Sequence, residues 1–545
     1  MTNGRIVPAG TVLKTVLLAC LTMAGSVQAA AALYDNLGVL HHPISTSSEQ
    51  AQRYFDQGLK LVYAFNHEEA IRSFEEAARQ DPAAAMPYWG MALALGPNIN
   101  AAMSKEDERR AVQAITQARK RLSTASAAER AYIDALTKRY ISARRASRAA
   151  LDKAYADAMR TVWAAYGDDA DAGVLFAEAL MDLRPWDFWT TDGKPKAGTN
   201  EIISTLEAVI EKHPDHPGAC HYYIHAVEAS GAPERALACA DRLPGLMPGA
   251  GHLVHMPAHI YARIGRYHDS AERNAQAAQA DERYLAGAHL TGDYAGGYYS
   301  HNLHFLWSSL MMEGRSAEAF KAAASLIATI TDEQARKDRS REAYLTTKLF
   351  ALIRFGRWEE LLREPPPPKG LHLVEGIWRL GRGLALVATG RLPGADGERQ
   401  ALLTLTKQFR RSKGQQEKLE RDLLKIAERL LAGQLAAQRQ RYDEAIKALK
   451  EALRIDDAVQ GAEPPHWPLP IRHYLGPVLL LAGHAPEAET EYRADLKWNP
   501  ENGWGLFGLL QTLKAQRKEA EAAEISRRFE HAWAHADVTL ASSRF

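Results

Sequence analysis

The chain has 545 residues, 46% hydrophobic and 24% charged, with a formal net charge of +1. That length fits several domains or one long repeat array, and the balance is that of an ordinary soluble protein. The near-neutral charge, with no basic stripe interleaved with aromatics, argues against a nucleic-acid partner. Short basic groups such as Arg144, Arg145 and Arg148, or Arg410, Arg411 and Lys413, read as solvated helix faces. Ala, Leu, Glu and Arg recur throughout while runs of Val, Ile and Thr are scarce, which predicts an all-α chain.

Residues 1–29 read as an export signal. Arg5 and Lys14 precede the apolar stretch TVLLACLTMAG, which is too short to span a bilayer, and SVQA places cleavage after Ala29. A lipoprotein site at Cys20 is the weaker reading, because it leaves only Thr15 to Ala19 as the apolar core. No later stretch has the length and apolarity of a membrane helix, so the mature protein is expected to be exported and periplasmic, without a transmembrane segment. Two cysteines then remain, Cys220 and Cys239, and an oxidising compartment permits a disulfide between them. There is no CxxC or CxxCH.

After an N-terminal segment at 30–50, residues 51–84 read as a helix–turn–helix unit broken near Asn66 and stopped at Pro82. Gly58, Ala70, Phe74 and Ala77 stand where small and apolar residues let two antiparallel helices pack. Residues 51–100 are therefore assigned to repeats. Residues 101–166 look helical without the repeat spacing and read as an inserted segment. Residues 167–363 form a second array, interrupted by a long loop at 184–200, RPWDFWTTDGKPKAGTN. EPPPPKG (364–370) is a stiff connector and a candidate seam between two packed arrays, and 371–545 forms the C-terminal array. There, 469–502 carries Gly476, Gly483, Ala488, Tyr492 and Pro500 in the frame of the first unit, and 501–534 follows with Trp504, Gly508 and Ala520. Turns of one kind recur at GAPERAL, GRYHDSA, GRSAEAF and GRWEELL. On these residues the chain resembles the tetratricopeptide repeat superfamily, whose period is about 34 residues. The resemblance implies an α-solenoid with an extended binding face.

The turn glycines act as rulers. His221, His255 and His304 each lie ten residues before Gly231, Gly265 and Gly314. His225 and His259 lie six before the first two, and His252 and His301 thirteen before the last two. Spacings of three, four or seven put the rings on one helix face, joined by Glu228. In the tetratricopeptide class that face lines the concave groove, so the resemblance implies seven imidazoles looking into it together. Imidazole suits Zn, Cu, Fe or Ni, with Glu228 available to complete a site. Seven rings exceed one tetrahedral shell, so either two metals are present or some rings hold substrate or orient ligands. Hydrogen-bonded groove histidines without metal are the competing explanation. Pro257 breaks the register: it either kinks one helix or starts a new one, leaving His252 and His255 before it.

Asn98 and Asn100 in GPNIN, and Arg184, Trp186 and Asp187 in the long loop, are candidate ligand contacts at the groove mouth. Trp163 and Trp378 read as packing between repeats, and His466, Trp467 and His473 as fixing a bend. No nucleophile elbow, phosphate-binding Gly–Lys motif or HExxH is present. HPGACHYYIHAVE, GHLVHMPAHIYARIGRY, YYSHNLHFL and NPENGWGLFGLLQTL resemble exported bacterial tetratricopeptide proteins with a histidine-rich groove, which implies fold and export but no activity. Three functions stay open. One is an exported solenoid that binds a peptide or small ligand, with a transition metal. Another is a metal-dependent oxidoreductase or hydrolase using the same histidines. The last is a metal-free scaffold for a protein partner. A closed pocket would favour an enzyme, an open groove a scaffold.

Overall fold

The 51–84 unit becomes α1 (Glu49–Tyr63) and α2 (His67–Gln80) in the computed structural model, which describes residues 31–140, 146–190, 193–288, 294–408, 414–459 and 461–545. The expected signal segment through Ala29, with Cys20, lies outside them, as do Arg144, Arg145, Arg410, Arg411 and Lys413. Ser48 caps α1 by accepting from the Ala51 amide, and the Asn66 side chain accepts from Glu69 at the start of α2. Gly58 meets Phe74 so closely that a Cβ added there would lie 2.6 Å from the ring. The absent side chain is what allows the two helices to close on one another.

The hairpin recurs along the chain. Helix α3 (Met86–Ala94) packs on α4 (Lys105–Arg119), α5 (Ala127–Tyr140) on α6 (Arg148–Ala165), and α7 (Ala170–Met181) on α8 (Thr199–Lys212). Next, α9 (Pro217–Val227) packs on α10 (Leu237–Leu246), and α11 (Gly251–His255) with α12 (Pro257–Arg263) on α13 (Tyr267–Ala288). Helix α14 (Ser300–Glu313) then packs on α15 (Ser316–Ala328). Farther on, His372–Ala388 pairs with Leu392–Gln408, Gln415–Gln438 with Tyr442–Val459, Arg472–Leu481 with Ala485–Trp498, and Gly503–Ala515 with Glu519–Ala532. Gly265 and Gly314 close two of the turns with φ of 83° and 74°, a backbone that glycine adopts without penalty. Among the described residues there is no strand, only two isolated bridges. The chain is an all-α solenoid of tetratricopeptide-like hairpins.

Two large apolar clusters hold it together, one running from Leu37 to Tyr261 and the other from Ala271 to Leu540. The division falls near Gly265 and not at the proline-rich connector. Leu361 and Leu371, on either side of that connector, belong to the same second cluster. Polar contacts also tie the halves: His259 and Arg263 both reach Glu463. Within the second, the Asp537 carboxylate accepts from the Ser316 and Ala317 amides at the start of α15, and Trp504 Nε1 donates to the Met311 carbonyl. A disulfide joins Cys220 on α9 to Cys239 on α10.

Candidate metal centre

The histidine core sits at the junction of the two apolar clusters. Helix α9 starts at Pro217 behind His216, whose Nδ1 accepts from the Ala219 amide. Four residues separate His221 from His225, so both rings leave the same side of α9. At Pro257 both sequence-based alternatives are partly realised. A new helix begins there, yet Met256 keeps helical angles (φ −50°, ψ −36°), so the path is not interrupted. His252, His255 and His259 therefore stay on successive turns. Proline at the first turn of α12 needs no amide partner. Gly251, at the start of α11, is pressed against the Asp281 carboxylate, where a side chain would collide.

Two groups of three imidazoles result. His221, His225 and His252 bring one ring nitrogen each within 4.8 Å of one another, and so do His255, His259 and His301. The groups adjoin: ring centroids of His225 and His259, and of His252 and His255, are 5.9 Å apart. Five of the six rings are at most 4% exposed.

The outward nitrogens fix the protons. His221 Nδ1 donates to the Tyr63 carbonyl at 2.6 Å. His255 Nδ1 lies 2.6 Å from Asn274 Oδ1, and Asn274 Nδ2 is committed to the Ser270 carbonyl, so the ring must donate here too. His225 Nδ1 donates to Glu228 Oε1 at 3.0 Å. His259 Nδ1 faces two carboxylates, Glu228 Oε2 at 2.8 Å and Glu463 Oε2 at 3.0 Å. In the neutral rings, every one of these four places a lone pair on Nε2, aimed inward. His255 Nε2 and His259 Nε2 then meet at 2.9 Å, His221 Nε2 lies 3.1 Å from His252 Nε2, and His225 Nε2 is buried without a hydrogen-bond partner. Converging buried lone pairs need a cation between them, a proton or a metal.

The electrostatics agree. Burial pushes His221, His252 and His255 well below the ordinary imidazole value, and His301 to about 3. His259 is the exception: burial lowers it, but Glu228 and Glu463 outweigh that and raise it to about 10. Without metal, then, the positive charge of the core resides on His259. Burial raises Glu228, but the facing His259 and His225 rings hold it well below the carboxylate range.

Aromatic rings enclose the cluster. Phe65, in a left-handed turn conformation (φ 57°) between α1 and α2, lies 4.6 Å from His221 and stacks on His225 and His252. Such a backbone costs about 1–2 kcal/mol for a bulky residue, and here it sets the ring among three imidazoles. Tyr298 covers His252 at 4.6 Å, and Phe305 contacts His255, His259 and His301 at 4.8–5.8 Å. Of the two expectations, open groove or closed pocket, the histidine face is covered: these rings bury it, and Glu463 reaches His259 from residues 461–471.

The expected ligand contacts divide. Trp186, 51% exposed, stands edge-on to His225 at 5.1 Å and roofs the first triad. Asn100 Nδ2 reaches the Tyr298 hydroxyl at 3.5 Å. Asn98 also reaches Tyr298 and in addition braces its own turn, accepting from the Asn100 and Ala101 amides. Arg184 donates to the Ala197 carbonyl and Asp187 pairs with Lys196, so both organise the 184–200 loop. His304 departs from the set. The three-residue step from His301 turns it about 60° around the helix. Its ring packs on Trp307 and Tyr344, near His466, and it joins no group of three ligand atoms among the described residues.

Sequence reasoning missed Tyr63, Phe65, Asn274, Phe305 and Glu463. Glu463 is the most remote, 204 residues from His259. Its one local signal is the non-helical EPPHWPLP stretch that carries it. A separate group, His42, Asp169 and Asp171, is internally satisfied. Asp171 takes hydrogen bonds from His42, His216 and Tyr63, and Asp169 from Tyr132 and the Asp171 amide.

No family model and no curated protein matches the chain. Solved structures similar to it include a human IFIT1 dimer with m7Gppp-AAAA, 14% identical over 89% of this chain and 90% of that one, with a TM-score of 0.31. The Cut9–Hcn1 hetero-tetramer of APC/C is 12% identical over 88% and 76%, with a TM-score of 0.31. The TPR domain of P58(IPK) is 10% identical over 86% and 99%, with a TM-score of 0.20. These likenesses say nothing about what this chain binds.

Proposed function

We propose that the protein is an exported metal-binding solenoid whose enclosed histidine core holds a transition metal through inward Nε2 atoms. One observation carries this reading: His255 Nε2 and His259 Nε2 face each other at 2.9 Å while Asn274, Glu228 and Glu463 draw their protons outward. Histidines that donate their second nitrogen to a carboxylate or carbonyl are oriented as metal ligands characteristically are. An all-imidazole set suits Cu, Zn, Fe or Ni. Export is supported by the Cys220–Cys239 disulfide, which an oxidising compartment preserves. The enclosure by Phe65, Tyr298, Phe305 and Trp186 favours a reaction centre for a small molecule over a scaffold groove for a protein partner.

Elemental analysis of the mature, tag-free protein from its native compartment tests this. Stoichiometric metal is expected in the wild type and its loss in a folded His255→Ala, His259→Ala double variant. Metal-free wild type that also resists reconstitution with Cu, Zn and Fe would overturn the reading and return the core to a metal-free, imidazole-lined site.

A further inference from the structure

Next to the histidine core lies a cavity of about 110 Å³. One wall comes from α12, α13 and α14, through Arg263, Tyr267, Phe305 and Met312, and the facing wall from Pro464, Pro465 and Pro468. Two residues serve both places. Phe305 packs on His255, His259 and His301, Glu463 reaches His259, and both line the cavity. None of the six imidazoles lines it, so it is a site separate from the metal centre. We propose that this cavity binds a small uncharged aromatic alcohol of about the size of phenol.

Volume and walls set the body of the ligand. An apolar cavity of about 150 Å³ stays dry and accepts benzene, and this one is of the same order. It reaches the surface beside Trp498, which lines it and is 43% exposed. Phe305 and Trp498 present aromatic rings, and Met311 and Met312 present polarisable side chains, a lining that suits an aromatic ring better than an alkyl chain. The prolines bring no amide to be left unsatisfied against an apolar guest. The strap that carries them is held at both ends. Glu463 meets His259 and Arg263, and the buried Trp467 packs on Phe350 and donates to the Leu469 carbonyl. Thus anchored, the strap spans the space without filling it, and the small residues Ala262 and Ser308 leave it open. A void forfeits packing contacts that larger side chains there would recover.

The polar lining sets the functional group. Tyr267 is only 9% exposed, and its hydroxyl has no hydrogen-bond partner among the described residues. A buried hydroxyl left without a partner is costly, and a ligand hydroxyl, donor and acceptor at once, would answer it. The charged residues of the lining are already engaged. Arg263 Nε donates to the Glu228 carbonyl at 3.1 Å, and Arg263 and Glu463 face each other at 3.6 Å. The open hydrogen-bonding groups of the cavity are therefore neutral ones, Tyr267 and Ser308, which matches a neutral alcohol and not an anion.

The test is calorimetric titration of full-length mature protein with phenol, toluene and benzoate, in chelator so that no probe binds through an ion. Expected are one phenol site per chain, weaker binding of toluene and none of benzoate. Tyr267→Phe removes only the hydroxyl and is expected to weaken phenol about 3–10-fold while leaving toluene unchanged. Ser308→Phe and, separately, Ala262→Leu fill the cavity from different walls, and each folded variant, checked by circular dichroism, is expected to abolish phenol binding. No saturable phenol binding, or binding that survives the filling variants, overturns the site. Benzoate binding as tightly as phenol overturns the uncharged class. Toluene binding as tightly as phenol, or Tyr267→Phe without effect, overturns the alcohol. Because metal is absent throughout, failure here leaves the metal-binding reading standing, and failure of that reading leaves this site untouched.

Discussion

His255 in the first half of the chain and His473 in the second are equally buried, and their surroundings follow opposite logic. His473 is answered on both sides: Nδ1 accepts from Arg354 at 3.1 Å, and Nε2 donates to Asp495 at 2.8 Å. Asn502 completes the Asp495 carboxylate. His255 is answered outward by Asn274 and inward only by a second imidazole, His259, which holds the proton between them when no metal is bound. The same hairpin architecture thus supports a closed polar lock in one half and an incomplete polar chamber in the other. A buried histidine becomes informative through what its second nitrogen faces.

That contrast is open to attack by mutation. In chelated protein, His473→Ala leaves Asp495 buried beside fewer donors and is expected to cost about 3–5 kcal/mol in denaturant melts. His255→Ala in the same metal-free state is expected to cost much less, because its inward partner His259 keeps Glu228 and Glu463 beside it. Equal losses would erase the distinction. Reducing the Cys220–Cys239 bond is expected to lower stability by about 2–4 kcal/mol. Because the bridge anchors α9, it should weaken metal retention as well, read by melts and metal content together. Asn274→Ala and Glu463→Gln are each expected to weaken metal binding about 10–100-fold by chelator competition, with His304→Ala changing it little.

A separate expected effect concerns pH in the second half. Burial raises the Asp456 carboxyl to about 7. A raised carboxyl stabilises the fold in its neutral form below the ordinary carboxylate range, and that contribution is lost as pH rises toward 7. Asp456→Asn should flatten the stability profile between about pH 4 and 7 by up to about 1.4 kcal/mol per pH unit. An unchanged slope would show that Asp456 is already ionised in the fold.

Much of this was legible in the sequence because it is local. The Gly58–Phe74 packing, the turns at Gly265 and Gly314, and the helical spacing of His221 with His225 follow from residues within one repeat. The ruler failed at His304, since spacing from Gly314 gives a place along α14 and not a rotation about it, and His301 took the inward lane. Phe65 was concealed in a turn whose left-handed backbone no residue type announces. Glu463 approaches His259 only after two hundred residues of solenoid have been stacked, and no local pattern encodes that return. The ion pair of Asp187 likewise required knowing which atoms were already committed.

The most direct test is a crystal structure of metal-reconstituted protein with anomalous data collected on both sides of the absorption edge of the bound metal. The account predicts anomalous density within the Nε2 atoms of His221, His225 and His252, within those of His255, His259 and His301, or both. A metal-replete crystal with density only elsewhere, such as at His42, Asp169 and Asp171, would contradict it.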